Sequence, residues 1–546
     1  MNNETLLFTP TTPLPGALKT VLAFPSTYSI GITSLGYQVI WTTLAQRSDV
    51  DVRRLFTDQQ ERQYQNCDLF GLSLSWELDG PILLDLLEKQ QIPIWSHQRK
   101  DKDSIVFGGG PVLTANPEPL APFLDVVLLG DGENLLPTFI DTIQKVRHLP
   151  RVDKLKNLAR IPGIYVPQLY IPKYTSNGTL KAIQPIQTDI PQSISKQTWQ
   201  GNTLSHSTVI TPDAAWPNIH MVETVRSCPE LCRFCLASYL TLPFRSSSLE
   251  DGLIPAVEKG INATKRIGLL GASVTQHPQF SDLLNWLNQD SFDDIRLSVS
   301  SVRAATVNSE MTKILSRHAC KSLTIAIESG SERMRKIVNK KLSEEEIFMA
   351  AKYAVDGGLK NLKLYGMVGL PKEEEEDIEA TADLLLRVKR KITGLRLTLG
   401  VSTFVPKAHT PFQWHGVRPE ADKRLRLLAK RLKPNGINFR PESYRWSLIQ
   451  ALISRGDRRL APVIAQVRGS HQSFSSWKNA YRAMQEENKS IPENEQRTLP
   501  KLPTWENVIH ENWETSTVLP WSHLQGPLKP EILIQHQKQS LNELIV

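Results

Sequence analysis

Three cysteines stand within eight residues, in the segment Arg226-Ser-Cys-Pro-Glu-Leu-Cys-Arg-Phe-Cys235. The spacing is Cys-x3-Cys-x2-Cys, at Cys228, Cys232 and Cys235. Thiolates this close in sequence can wrap one compact metal cluster. A structural zinc or a fully capped iron–sulfur site asks for four protein ligands. The other two cysteines, Cys67 and Cys320, are isolated in sequence. Taken at face value, three thiolates on an iron cluster leave one iron open to bind a substrate or cofactor. Two other readings stay open on spacing alone: zinc with a distant fourth ligand, and buried cysteines that bind nothing. A secreted disulfide protein would spread an even number of cysteines along the chain, so clustered ones point to metal chemistry.

The elements around this loop set where it can act. From about residue 218, strand candidates at 221–227, 266–271, 295–301, 322–329, 361–369 and 394–405 alternate with helices. Six such units over 216–415 predict a partial (β/α)6 barrel of the TIM type, with its chemistry at the C-terminal strand ends. The cysteines follow the first of these strands. Upstream, 17–149 reads as strands at 19–25, 67–75, 104–111 and 125–133 separated by helical stretches, the pattern of a doubly wound parallel sheet. Residues 1–16 are polar and Pro/Thr-rich and are expected to be loose. Residues 150–215 form a connector with a hairpin signal at Asn177–Gly178. Residues 416–546 read as a mainly helical extension, with a polar loop at 485–505. The fold class is α/β.

The chain carries a formal charge of +8, which permits an anionic partner without demanding one. Residues 422–460 hold eleven Lys/Arg against three acids. That stretch reads either as a solvated helix face or as a patch for RNA or another anion. No run approaches the roughly 20 apolar residues of a membrane span, and the N-terminus lacks the basic-then-apolar pattern of a signal peptide. The expected location is cytoplasmic, with peripheral membrane association left open.

With Phe234 just before its last cysteine, the triplet resembles the signature of the radical S-adenosylmethionine superfamily. The resemblance implies a 4Fe-4S cluster on Cys228, Cys232 and Cys235. Its open iron would chelate S-adenosylmethionine, and one electron, from a donor such as ferredoxin or flavodoxin, would split the sulfonium to a 5′-deoxyadenosyl radical. Later motifs follow in the family's order. Gly268-Leu-Leu-Gly-Ala272 resembles the glycine-rich segment beside the methionine moiety, with Gly271 letting backbone approach the ligand. Ser300-Ser-Val-Arg303 offers Ser301 and Arg303 as polar contacts. Ile327-Glu-Ser-Gly-Ser331 resembles the Glu-Ser-Gly pattern, with Glu328, next to Ser329, as acceptor for ribose hydroxyls or the methionine amine. Lys363 reads either as a partner for the methionine carboxylate or as a barrel-exterior lysine. The acids at Glu373 to Asp377 suit a helix N-terminus.

The N-terminal segments Gly71-Leu-Ser-Leu-Ser75, Phe107-Gly-Gly-Gly-Pro111, Pro117-Glu-Pro119 and Gly130-Asp-Gly-Glu133 resemble a cobalamin-binding-like domain. The cobalt-coordinating Asp-x-His-x-x-Gly is absent there, so cobalamin either binds without a protein ligand or has been lost. Trp76-Glu-Leu-Asp79, Phe404–Trp414, Arg455-Gly-Asp-Arg-Arg-Leu460 and Leu519-Pro-Trp521 resemble an uncharacterised family of radical enzymes with this fused domain. His409 and Trp414 either face substrate or pack against the C-terminal helices.

The expected activity is hydrogen abstraction from, or methyl transfer to, an unactivated carbon of an unnamed substrate, with no catalytic residue assigned. Two alternatives stand beside it: an RNA-modifying enzyme like the methylthiotransferases, and a non-enzymatic iron–sulfur or cobalamin sensor.

Overall fold

The structure, a computed structural model, describes residues 3–59, 64, 66–469, 472–490 and 501–542. The expected loop at 485–505 lies partly outside these; helix Phe474–Ser490 occupies its first residues.

The N-terminal sheet has five parallel strands in the spatial order Val50–Leu55, Leu18–Ala23, Leu69–Ser73, Ile105–Gly109, Val126–Leu128, with Ile164–Tyr165 added antiparallel at the far edge. Strand order reverses between Leu18–Ala23 and Leu69–Ser73, which opens a crevice at their C-terminal ends. Val50–Leu55 was not expected as a strand. Its Asp51, Arg53 and Arg54 mask the apolar alternation, and as an edge strand it leaves these charges outside the core. The hairpin is present: Tyr170–Tyr174 pairs antiparallel with Leu180–Pro185 across the Asn177–Gly178 turn. The N-terminus is tied down rather than loose, because Thr5 and Leu6 pair with Ile210 and Val209.

The barrel strands are Ile219–Arg226, Arg266–Gly271, Arg296–Val299, Ser322–Glu328, Asn361–Val368 and Arg396–Thr403, all parallel. Val302 bridges to Ile325 and joins the two halves. A seventh parallel strand, Asn438–Pro441, follows helix Ala421–Leu432 and pairs with Arg396–Thr403, so the barrel runs past residue 415. The sequence pattern hid it because only Phe439 of its four residues is buried.

Helix Ala421–Leu432 carries much of the basic stretch, and part of its charge is used internally. Lys423 pairs with Glu375 at 2.8 Å, Arg424 with buried Glu373 at 2.8 Å, and Arg431 with Glu379 and Asp383 of helix Glu375–Lys391. Beyond it, Arg458 meets Glu118 and Arg459 meets Asp457. Lys430, Lys433, Arg440 and Arg445 are exposed and have no carboxylate in ion-pair contact among the described residues, so part of the stretch is a solvated face and part is paired within the fold.

The remaining C-terminal helices build one core with the N-terminal domain: Leu452, Ile464 and Trp477 join the apolar cluster of Leu72, Leu84 and Phe107, whereas the barrel core is separate. At this junction Glu118 is fully buried, accepts from Arg458 Nε at 2.7 Å and from the Tyr165 hydroxyl at 2.5 Å, and so ties three parts of the chain together. Burial alone would raise the Glu118 carboxyl, but the Arg458 guanidinium leads the contacts that hold it below its usual range. No helix among the described residues is long and apolar enough to cross a membrane.

A buried carboxylate stripped of its cation is costly. Arg458→Met is expected to destabilise the fold by about 3–5 kcal/mol, read as a lowered denaturation midpoint. The added change Glu118→Gln should recover part of that loss. An unchanged midpoint in the single variant would remove this junction from the account.

Candidate functional site

The cysteine loop leaves the first barrel strand at its C-terminal end and turns at once. Ser227 and Leu231 take positive φ values of 73° and 54°, unusual for residues with a Cβ. The loop is held against helix Glu332–Ile337. Arg233 is buried, and its Nη1 donates to the carbonyls of Lys336 and Ile337 at 2.9 and 2.7 Å; its backbone N–H donates to Val338. A guanidinium on the last carbonyls of a helix satisfies orphan acceptors and sits at the negative end of the dipole. From the other side, Asn339 Nδ2 donates to the carbonyls of Glu230 and Leu231 at 3.1 and 2.9 Å. Glu230 pairs with Arg303 and accepts from Gln276 Nε2. The Tyr239 hydroxyl closes the set, meeting the Leu231 carbonyl and His536 Nδ1 of helix Pro530–Asn542.

Cys228 and Cys232 are buried and Cys235 is partly so, and none forms a disulfide. Burial pushes the Cys232 thiol up to about 12; the neighbouring Cys235 and Cys228 and the Glu328 carboxylate push the same way, and Lys340 opposes them. Burial likewise raises Cys235. Neither remaining cysteine supplies a fourth thiol. Cys67 meets Ser104 in the N-terminal domain, and Cys320 precedes strand Ser322–Glu328 at the end opposite Glu328, eight residues and so about 25 Å of extended chain away. Among the described residues no three His, Cys, Asp or Glu side chains form a site for a metal ion. A cluster is gripped at separate corners by thiolates that stand apart, and the donor chemistry of three unbridged thiols on one clamped loop fits that group.

Glu328 comes to this loop, as expected. It ends its strand at a β-bulge, with φ of 62° and a tight turn closed by Ser329 N–H to the Ile327 carbonyl at 2.8 Å. A strained backbone at a buried acid is the kind of feature that gathers at functional sites. Its Oε1 lies 3.0 Å from Lys340 Nζ. Burial alone would depress the Lys340 ammonium, but the Glu328 carboxylate outweighs it and holds the charge on. Lys340 was not singled out from sequence. Nothing there separates it from its exposed neighbour Lys341; only the fold turns one inward.

Other expected residues fare differently. Phe234 packs on Met334, Phe404 and Phe412 with part of its ring exposed. Gly271 meets the first strand so closely that a Cβ would lie 2.8 Å from the Val225 carbonyl oxygen. Ser301 lies at the open strand end beside the Val302 bridge. Arg303 is engaged with Glu230 and the Lys341 carbonyl, so its guanidinium frames the cysteine loop. Ser329 is buried and its hydroxyl holds the turn into helix Glu332–Ile337 by accepting from Ser331 N–H. Lys363 is not brought to the cysteines. It pairs in register with Thr324, three steps and about 10 Å below Gly366, the partner of Glu328. His409 and Trp414 are buried, which fits packing rather than substrate contact.

A cavity of about 400 Å³ opens at the C-terminal ends of the N-terminal strands, walled by Leu22, Leu72, Phe107, Gly110, Gly132 and Arg226. Arg226 sits two residues before Cys228 and bridges Asp131, Glu133 and Glu223.

Residues 222–385 match the family model described as the radical SAM superfamily, and residues 36–167 match that of the N-terminal region of radical SAM proteins. The chain belongs to the radical SAM superfamily and is a radical SAM enzyme. An uncharacterized protein of Methanocaldococcus jannaschii is 29% identical over 443 residues, covering 81% of this chain and 89% of the relative. A tRNA-2-methylthio-N(6)-dimethylallyladenosine synthase of Alkaliphilus oremlandii is 30% identical over 179 residues, only 30% of this chain and 37% of that enzyme. Among solved structures, the radical S-adenosylmethionine methyltransferase TsrM of Kitasatospora setae, with cobalamin and a [4Fe-4S] cluster bound, superposes with a TM-score of 0.52 at 14% identity, over 87% of this chain and all of that one. At that identity it bears on the fold.

Arg233→Met removes charge-assisted bonds worth about 1.5–3 kcal/mol each. Amide hydrogen exchange across 228–239 is expected to speed up by roughly tenfold or more, with the N-terminal strands unchanged. An unaltered loop rate would mean the clamp does not hold it.

Proposed function

We propose that this chain is a cobalamin-using radical SAM methyltransferase, with Cys228, Cys232 and Cys235 holding a 4Fe-4S cluster. The observation that carries the reading is the shared strand: Ile219–Arg226 lines the N-terminal cavity with Glu223 and Arg226 and then delivers the cysteine loop two residues later. A cofactor in that cavity would therefore face the cluster end of the barrel. The fold is also that of TsrM, whose structure contains both groups.

When bound, the cluster supplies the electron that cleaves S-adenosylmethionine, and the corrinoid supplies a methyl carrier. The chain's own groups bind and position. Glu328 is placed to accept hydrogen bonds from an amine or ribose hydroxyls, and Lys340 to hold a carboxylate while balancing the thiolates' charge. Phe234 offers a partly exposed ring for a flat base. Gly271 and Ser301 rim the same strand ends. No histidine lines the cavity among the described residues, so the corrinoid would bind without an imidazole from this wall. A soluble electron donor and a cytoplasmic setting belong to the same reading.

Anaerobic reconstitution, reduction and addition of S-adenosylmethionine should yield S-adenosylhomocysteine or 5′-deoxyadenosine, and Cys232→Ala should lose both product and the cluster's absorption. An intact cluster that forms neither product would overturn the reading. Separately, Ser73→Trp places a large ring in the cavity. It should abolish the cobalamin spectrum of protein incubated with hydroxocobalamin and leave cluster absorption unchanged. Retained cobalamin would move that site elsewhere.

A further inference from the structure

The concave face of the barrel carries charge that the cysteine site leaves unused. On successive strands Leu297, Leu323, Leu362, Leu397 and Phe439 pack outward into the helical layer, so the residues between them face the lumen. Register sets Ala326, Tyr365, Gly400 and Arg440 side by side on one level, and Thr324, Lys363, Thr398 and Asn438 on the level below. Lys363 and Arg440 are exposed, and Tyr365 is 50% exposed. The Tyr365 ring lies over Gly400, where an added Cβ would come within 3.0 Å of it, so bare backbone there lets the ring lean toward the strand of Arg440. Asn438, with its amide oriented to suit its neighbours, accepts from Arg440 Nε at 3.0 Å and Nη2 at 3.2 Å, which fixes the guanidinium on this face. Of the acids on this face, Glu223 and Glu328 are already held by Arg226 and Lys340 at the upper end, and Glu442 stands two residues beyond Arg440 without an ion pair to it. Among the described residues, neither Lys363 nor Arg440 has a carboxylate within ion-pair distance.

We infer that Lys363 and Arg440 bind an anionic group of the substrate, a carboxylate or phosphate, while a flat apolar part of the same molecule lies on Tyr365. The inference rests on the radical SAM reading, which needs a substrate in the barrel, and it names that substrate's class. Two exposed cations on adjacent levels of one concave face, with no acid in ion-pair contact among the described residues, suit an anion. The ring beside them supplies a planar contact. By register Arg440 lies one step below Gly366, the partner of Glu328, and Lys363 three, roughly 3 and 10 Å along the strands. A substrate anchored there presents its far end to the space beneath the cysteine loop.

Isothermal titration of the reconstituted holoenzyme, with S-adenosylmethionine present, uses two probes: benzoate and phenyl phosphate. Saturable binding of either is expected, and the double variant Lys363→Ala/Arg440→Ala should weaken it by roughly tenfold or more. Lys363→Arg should retain binding, and Lys430→Ala on the outer helix should leave it unchanged. Preference for benzoate assigns a carboxylate, and preference for phenyl phosphate assigns a phosphate. If neither probe saturates, or the double variant binds as the parent does, the inference fails. Cluster absorption and S-adenosylmethionine binding are read in the same samples. Their loss counts against the radical SAM assignment, whereas their presence without anion binding counts only against the lumen site.

Discussion

Arg233 lies between two of the three cysteines and commits its guanidinium to the last carbonyls of helix Glu332–Ile337. That one contact couples the loop to the strand-end motif upstream of the helix, because the same helix begins at the turn Glu328–Ser331. Loop, turn and helix therefore form a closed unit, in which Asn339 returns hydrogen bonds to the loop's carbonyls and Lys340 reaches back to Glu328. A flexible eight-residue loop would spread three thiols over many arrangements, and ordering it costs conformational entropy. The clamp meets that cost in the folded protein before any cluster arrives.

Much of this was legible in the chain's local chemistry. The cysteine spacing allowed a metal loop, the strand–helix rhythm marked two parallel sheets, and Glu328 was singled out through the resemblance carried by Ile327-Glu-Ser-Gly-Ser331. Strands whose sequence was dominated by their exposed face were missed: Val50–Leu55 and Asn438–Pro441 show charge and amide where the pattern looked for alternation. Lys340 was missed for a different reason. Its burial is decided by how a loop 105 residues after Cys235 folds back, and no local feature records that. For Lys363 the sequence left two readings, a carboxylate partner or a barrel-exterior lysine, because its face and depth in the barrel follow only from register.

The C-terminal segment is a buttress more than an appendage. Arg458, Trp477 and Trp521 complete apolar and ionic contacts that the N-terminal domain cannot make alone. The basic helix before them pairs with the acidic N-terminal half of helix Glu375–Lys391 beside it. Much of the charge that looked like a ligand footprint in one dimension is internal complementarity in three, with Arg440 left exposed on the last barrel strand.

That shared core bears on how the protein is made. Helix Gly80–Lys89, which carries Leu84, packs on helix Ala461–Val467, several hundred positions later in synthesis. The first domain thus emerges from the ribosome with an apolar flank uncovered, a high-contact-order arrangement that folds slowly and exposes sticky surface meanwhile.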